Sequence, residues 1–135
     1  MGWTYYKQPG ETAEEQKRYL INELTRDTNN PDYFFRVIEH HCGSDNVLWM
    51  VIEAQRKTDD RKFRYISCVL LDYQDQQWGY KEMDEAVGPA YYSCPLAFLD
   101  LAPEDNLPPE FEGSFAKSWR EKVLGQTNQN QAVPA

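Results

Sequence analysis

Apolar residues recur at helical spacing near the start of the chain. Thr12, followed three residues later by Glu15, forms a capping box. The apolar residues that follow at helical spacing are Ala13, Leu20, Ile21 and Leu24. This pattern predicts a helix over residues 12–26. Residues 27–32 form a turn cluster in which Pro31 prevents the helix from continuing.

Three runs with strand propensity follow, separated by short polar breaks. They cover Tyr33–Cys42, Val47–Arg56 and Lys62–Tyr73. Breaks of this length suit hairpins, so the runs predict an antiparallel β-meander. The second and third runs carry apolar residues at both alternating sets of positions, which requires cover on both faces of the sheet. We therefore predict that these two runs are the central strands, with the helix on one face.

The other face is expected to be covered by residues 75–112, an ordered irregular segment rich in Gly and Pro, with short helical turns. A C-terminal helix is predicted over Ser114–Leu124, with Gly125 as its stop. Residues 126–135 are polar and predict a disordered tail. The fold class is thus α+β, with a single domain over residues 1–125.

Charge is distributed unevenly along this chain of 22 acidic and 14 basic residues. The range from Asp72 to Glu112 contains ten acidic residues and only one basic residue, Lys81. The excess of acid disfavours direct binding to nucleic acid or to an anionic membrane, because both need clustered Lys and Arg. It favours a basic protein surface as the partner. The predicted contacts are Asp84, Glu85, Asp100, Glu104 and Asp105, with Tyr91 and Tyr92 as aromatic contacts.

Two other interpretations of the acidic tract, defined as residues 72–112, stay open. Surplus acid on a solvated surface serves solubility alone. Alternatively, Tyr91, Tyr92 and Trp78 line a pocket for a cationic or small ligand. A basic hairpin tip at residues 56–64 could also meet the tract of a second copy, which would give a homodimer.

The sequence contains little that indicates catalysis, and we assign no catalytic residue, metal or cofactor. Cys42, Cys68 and Cys94 are odd in number and widely spaced, which predicts reduced thiols. His40 and His41 would point to opposite faces of a strand, and no third metal ligand stands at a recognisable spacing. No hydrolase, metalloprotease or nucleotide-binding motif occurs. The absence of a signal core or membrane-length apolar run predicts a soluble cytoplasmic protein.

Residues 78–89 allow both a structural and a catalytic interpretation. In the structural one, Trp78, Tyr80 and Met83 are core anchors, while Gly79 and the Gly88-Pro89 pair shape a tight loop. In the catalytic one, a small enzyme or ligand sensor has a cleft lined by Tyr80, Lys81, Asp84, Glu85 and His40. Because neighbouring residues in an irregular loop rarely converge on one point, we favour the structural interpretation.

Two blocks of the sequence resemble a family of small uncharacterised proteins of bacteria, phages and integrative elements. The blocks are MGWTYY at the start and WGYKEMDEAVGPAYYSCPLAFLDL at residues 78–101. The matching residues are Trp78, Gly79, Tyr80, Lys81, Met83, Asp84, Glu85, Gly88 and Pro89, then Cys94-Pro95 and Leu99-Asp100-Leu101. The resemblance implies a setting in mobile DNA but no particular reaction. By analogy, it suggests an inhibitor of host defence, of the anti-CRISPR or anti-restriction kind, that blocks a basic nucleic-acid-handling surface.

Overall fold

The computed structural model of the protein describes residues 2–82, 93–103 and 107–108. These residues form six strands and two helices: β1 (Thr4–Tyr6), α1 (Ala13–Leu24), β2 (Thr28–Asn29), β3 (Tyr33–Cys42), β4 (Val47–Arg56), β5 (Lys62–Gln74), β6 (Gln77–Glu82) and α2 (Ala97–Leu101). The strands make one antiparallel sheet in the order β1-β6-β5-β4-β3-β2.

The predicted meander is confirmed. Strands β3 and β4 have the bounds that the sequence predicts, and β5 is one residue longer. The two central strands pair directly, with Trp49 opposite Cys68. Helix α1 ends at Leu24, two residues before the predicted end, and Thr12 caps it by accepting a hydrogen bond from the backbone N–H of Glu15 at 3.1 Å.

Both faces of the central strands are covered, as the alternating apolar positions predict. On the face that we call the α1 face, Leu48, Met50, Val69, Leu71 and Trp78 pack with Leu20 of the helix. On the opposite face, the α2 face, Val47, Trp49, Val51, Ile66 and Cys68 pack with Cys94, Phe98 and Ala102. The indole N–H of Trp49 donates to the Ser93 hydroxyl at 2.8 Å, which anchors the segment that carries α2. Part of the segment over residues 75–112 therefore covers the sheet.

The prediction of irregular structure from residue 75 onward is wrong for the first residues of that segment, which form a turn and strand β6. Gln74 pairs with Gln77 across a two-residue turn, and β6 extends the sheet. Asp75 and Gln76 have φ angles of 52° and 62°, the left-handed conformation of a type I′ turn. Strands β1 and β2 were not predicted from the sequence. The described part is mostly β with two short helices, and the predicted helix at Ser114–Leu124 and the predicted tail lie outside it.

Gln76 in the β5–β6 turn has a positive φ angle that is unfavourable for a residue with a side chain. Replacing Gln76 by glycine is expected to raise the free energy of unfolding by about 0.5–1 kcal/mol, because glycine adopts a positive φ without the steric penalty of a Cβ atom. Urea denaturation measures the change. Gln77→Gly is the control. Because Gln77 lies in strand β6, this variant should lower the free energy of unfolding by about 0.5–1 kcal/mol. Equal changes in the two variants would contradict the turn assignment.

Candidate functional site

The N-terminal strand β1 lies beside β6, the strand that contains Trp78 to Lys81. β1 pairs with β6, so that Thr4 lies opposite Tyr80 and Tyr6 opposite Trp78. Trp78 is buried, and its indole N–H donates to the backbone carbonyl of Ala13 at 2.8 Å. Trp78 thereby ties the start of α1 to the sheet, and Tyr80 packs on the same core cluster. Trp78 is thus a buried core residue and Tyr80 packs partly buried against the same cluster, while Met83, the third predicted core anchor, lies outside the described residues.

The side chain of Gln8 adds two hydrogen bonds between the N-terminal segment and strand β6. Its Nε2 donates to the carbonyl of Trp78 at 2.7 Å, and its Oε1 accepts from the Trp78 N–H at 2.9 Å. The side-chain amide of Gln8, two residues after the end of β1, thus bonds Trp78 as a backbone strand partner would. Gln8 is 1% exposed, and sequence reasoning missed it because no periodicity or motif marks a buried glutamine.

Gly79 serves a different purpose from the predicted one. It lies in β6, not in a tight loop, and the aromatic ring of Tyr5 covers it. A Cβ atom at this position would lie 2.7 Å from Cγ of Tyr5 and closer still to the edge of the ring. The Tyr5 hydroxyl donates to Asp72 at 2.7 Å, and the Trp3 ring stacks on the Tyr5 ring. The glycine therefore makes room for an aromatic side chain from the neighbouring strand.

Two members of the predicted cleft, Tyr80 and Lys81, project from opposite faces of the sheet. Tyr80 lies opposite Leu71 on the α1 face, whereas Lys81 lies opposite Leu70, which packs on the α2 face. Their side chains therefore leave β6 in opposite directions and cannot line one pocket. Asp84 and Glu85, the other proposed members, lie outside the described residues, as do Gly88 and Pro89.

The two histidines point in opposite directions along β3, and the three cysteines form no disulfide. A bulge in β3 between Val37 and Glu39 precedes both histidines, and His40 and His41 keep opposite directions because they pair with Met50 and Trp49. The three cysteines are free, and burial raises the pKa of the Cys68 thiol to about 12, so it is protonated and unreactive at neutral pH. No group of three potential metal ligands occurs among residues 2–82, 93–103 and 107–108.

Four acidic residues of the tract lie in the described part, at separate places. Asp72 accepts the hydrogen bond from Tyr5, and Asp75 is exposed in the β5–β6 turn. Glu82 is exposed at the end of β6 on the α1 face, where it pairs with Val69. Asp100 is exposed on α2, beyond the opposite face. The described acids therefore do not form one patch.

These four carboxylates are not neutralised by basic side chains of the described part. The ion pairs found there join Arg36 and Arg64 to Glu53, and Arg56 to Asp59. The predicted contacts Asp84, Glu85, Tyr91, Tyr92, Glu104 and Asp105 lie outside the described residues. Asp100 is the one predicted partner contact that the structure places, and it is on the surface.

A groove of about 300 Å³ crosses the α1 face beyond the end of the helix. Its floor is formed by Val37, Met50, Ile52, Ser67 and Val69, with Leu24 of α1 as one wall. On the other side, Phe35 and Tyr65 belong to a core cluster that Leu107 completes. Burial, together with the nearby Glu82 carboxylate, raises the pKa of Tyr65, which keeps its hydroxyl protonated. The groove was not predicted, because it depends on how much of the sheet α1 leaves uncovered.

Comparisons of the chain with protein-family models, with curated proteins and with solved structures found no match. Within the described ranges, no helix combines the length and the apolar character that a membrane crossing requires.

Proposed function

We propose that this protein is a non-enzymatic binding protein whose acidic tract contacts a basic surface on another protein. The observation that carries the proposal is the concentration of ten acidic residues against one basic residue between Asp72 and Glu112. Such a local field attracts a partner of opposite charge and speeds its association. Because the described acids lie on different faces, the contact is assigned to Asp84, Glu85, Asp100, Glu104 and Asp105, with Tyr91 and Tyr92.

Two observations on the described residues support this proposal. Asp100, exposed on α2, forms no ion pair with another described residue, so its carboxylate is available to a partner. The buried, protonated Cys68 and the divergent histidines leave those groups without an evident catalytic arrangement. The resemblance to proteins of phages and integrative elements extends the proposal to a counter-defence inhibitor in the cytoplasm, of the anti-CRISPR or anti-restriction kind. Its target would be the nucleic-acid-handling surface of a host protein.

The electrostatic contact predicts a strong effect of charge reversal. Changing Glu104 and Asp105 together to lysine should slow association with a basic partner, obtained by affinity capture from a bacterial host, by about tenfold at low ionic strength. The difference should shrink at high ionic strength, because salt screens exposed charges over about 10 Å at 0.1 M. Association rates measured on an immobilised partner at both ionic strengths test this expectation.

The control changes Glu11 and Glu39 together to lysine, which alters the net charge equally at two exposed positions outside the tract. It should leave the association rate nearly unchanged. If both variants slow association equally, net charge alone is responsible. If neither does, the tract is not the contact surface and the proposal fails.

A further inference from the structure

We propose that the groove on the α1 face binds an elongated zwitterionic small molecule with an apolar middle, of which a short apolar peptide is an example. The residues that line the groove are not among the contact residues assigned to the basic partner. It follows from three features of the described residues: an apolar floor, hydroxyl groups along it, and opposite charges at its two ends.

The floor is a continuous surface because its residues are cross-strand neighbours. Val37, Ile52 and Tyr65 form one row across β3, β4 and β5, and Met50 with Ser67 forms the next. Paired side chains on neighbouring antiparallel strands project from the same face. Removing an apolar body from water on this floor provides the affinity, and the hydroxyls of Ser67 and Tyr65 add polar contacts within it.

The groove is lined at one end by the acidic Glu82 and at the other by the basic Arg26, beside which the Asp27 carboxylate accepts a hydrogen bond from the Val37 N–H at 3.1 Å. Glu82 lies on β6, whereas Thr28 lies on β2 and Arg26 immediately precedes that strand. Four strand spacings separate β6 from β2, about 19 Å at the usual distance between strands. Neither the Glu82 carboxylate nor the Arg26 guanidinium makes an ion pair with another described residue. An amino group at the Glu82 end and a carboxylate at the Arg26 end complement these charges.

The size of the groove limits the ligand. A volume of about 300 Å³ is at the lower end of the range for small-molecule sites. An extended tripeptide spans about 10 Å, and the side chains of Glu82 and Arg26 can reach inward to cover much of the remaining distance. A short peptide with free ends and apolar side chains therefore matches the length, the floor and both charges.

Calorimetric titration of the full chain with trileucine tests the proposal. The peptide is compared with its N-acetylated and C-amidated forms, each of which removes one terminal charge. Each blocked form should bind the native protein about two- to fivefold more weakly, as expected for one exposed ion pair. In the Glu82→Gln variant, acetylation should no longer matter while amidation still does. In Arg26→Gln, the pattern should be reversed.

Two control variants test whether the peptide binds in the groove. Glu39→Gln removes an exposed carboxylate elsewhere and should leave both blocking effects unchanged. Ser67→Phe fills the floor and should reduce binding at least tenfold, with circular dichroism used to verify the fold. The proposal is overturned if trileucine does not bind the native protein at millimolar concentrations. It is also overturned if Glu82→Gln and Arg26→Gln respond identically to blocking of either end.

Discussion

Replacing Gln8 by alanine is expected to destabilise the protein by about 2–4 kcal/mol. The substitution leaves both the N–H and the carbonyl of Trp78 without their side-chain partner in a buried site, and each unsatisfied group costs about 1–3 kcal/mol. Loss of the buried side chain also leaves a void in the site. Urea denaturation monitored by tryptophan fluorescence measures the change in unfolding free energy.

Two further variants separate the hydrogen bonds from the volume. Gln8→Met keeps the length of the side chain but not its polar groups, and should lose nearly as much stability as alanine. Gln8→Glu retains an acceptor for the Trp78 N–H but, when ionised, turns an oxygen toward the Trp78 carbonyl. Burial and this carbonyl should raise the pKa of the introduced carboxyl group, so the loss should be larger at pH 7 than at pH 4.

The matched control is Gln74→Ala, which removes an exposed glutamine at the end of β5 and should change stability by less than about 0.5 kcal/mol. A loss below about 1 kcal/mol for Gln8→Ala would show that the paired hydrogen bonds do not hold β1 to the sheet.

Gly79→Ala is expected to cost about 1–3 kcal/mol, as for other substitutions that overfill a packed site. The added Cβ atom overlaps the Tyr5 ring, which must move away from β6. That movement breaks the hydrogen bond from Tyr5 to Asp72 and disturbs the stacking of Trp3 on Tyr5. Chemical denaturation of the single variants and of the double variant with Tyr5→Ala provides the coupling free energy.

In the Tyr5→Ala background, Gly79→Ala should become neutral or slightly stabilising, because the ring is gone and alanine suits a strand better than glycine. Gly43→Ala is the control: its Cβ would lie 3.4 Å from the Asp45 carboxylate, an ordinary contact, and we expect a change below about 0.5 kcal/mol. A cost for Gly79→Ala that stays the same with and without the Tyr5 ring would refute steric exclusion as the reason for the glycine.

Alternation of apolar residues was sufficient to predict the centre of the sheet. Strands β3 and β4 have the predicted bounds because each is long and rich in β-branched and aromatic residues. Strand β6 was missed for two reasons. The turn before it, Asp75-Gln76, lacks the glycine that usually marks a type I′ hairpin. Within the strand, Gly79 suggested a loop, because glycine is depleted in strands.

The candidate sites were predictable to a smaller extent. Charge counting identified the acidic tract, but it could not show that Glu82 would lie on the opposite side of the sheet from Asp72 and Asp100. The groove was beyond prediction, since it depends on helix α1 ending at Leu24 and on Leu107 packing against the far end of the strands. Tertiary placement determines both features, and local sequence patterns do not encode it.

The pairing of β1 with β6 also has a kinetic consequence. Gln8 and Trp78 are 70 positions apart, whereas the hairpins between β2 and β6 join near neighbours in the chain. Closing so long a loop costs entropy, so docking of the first strand is expected to come late in folding. Substitutions at Gln8 should then accelerate unfolding while barely slowing refolding, and the two arms of a chevron plot would separate these rates.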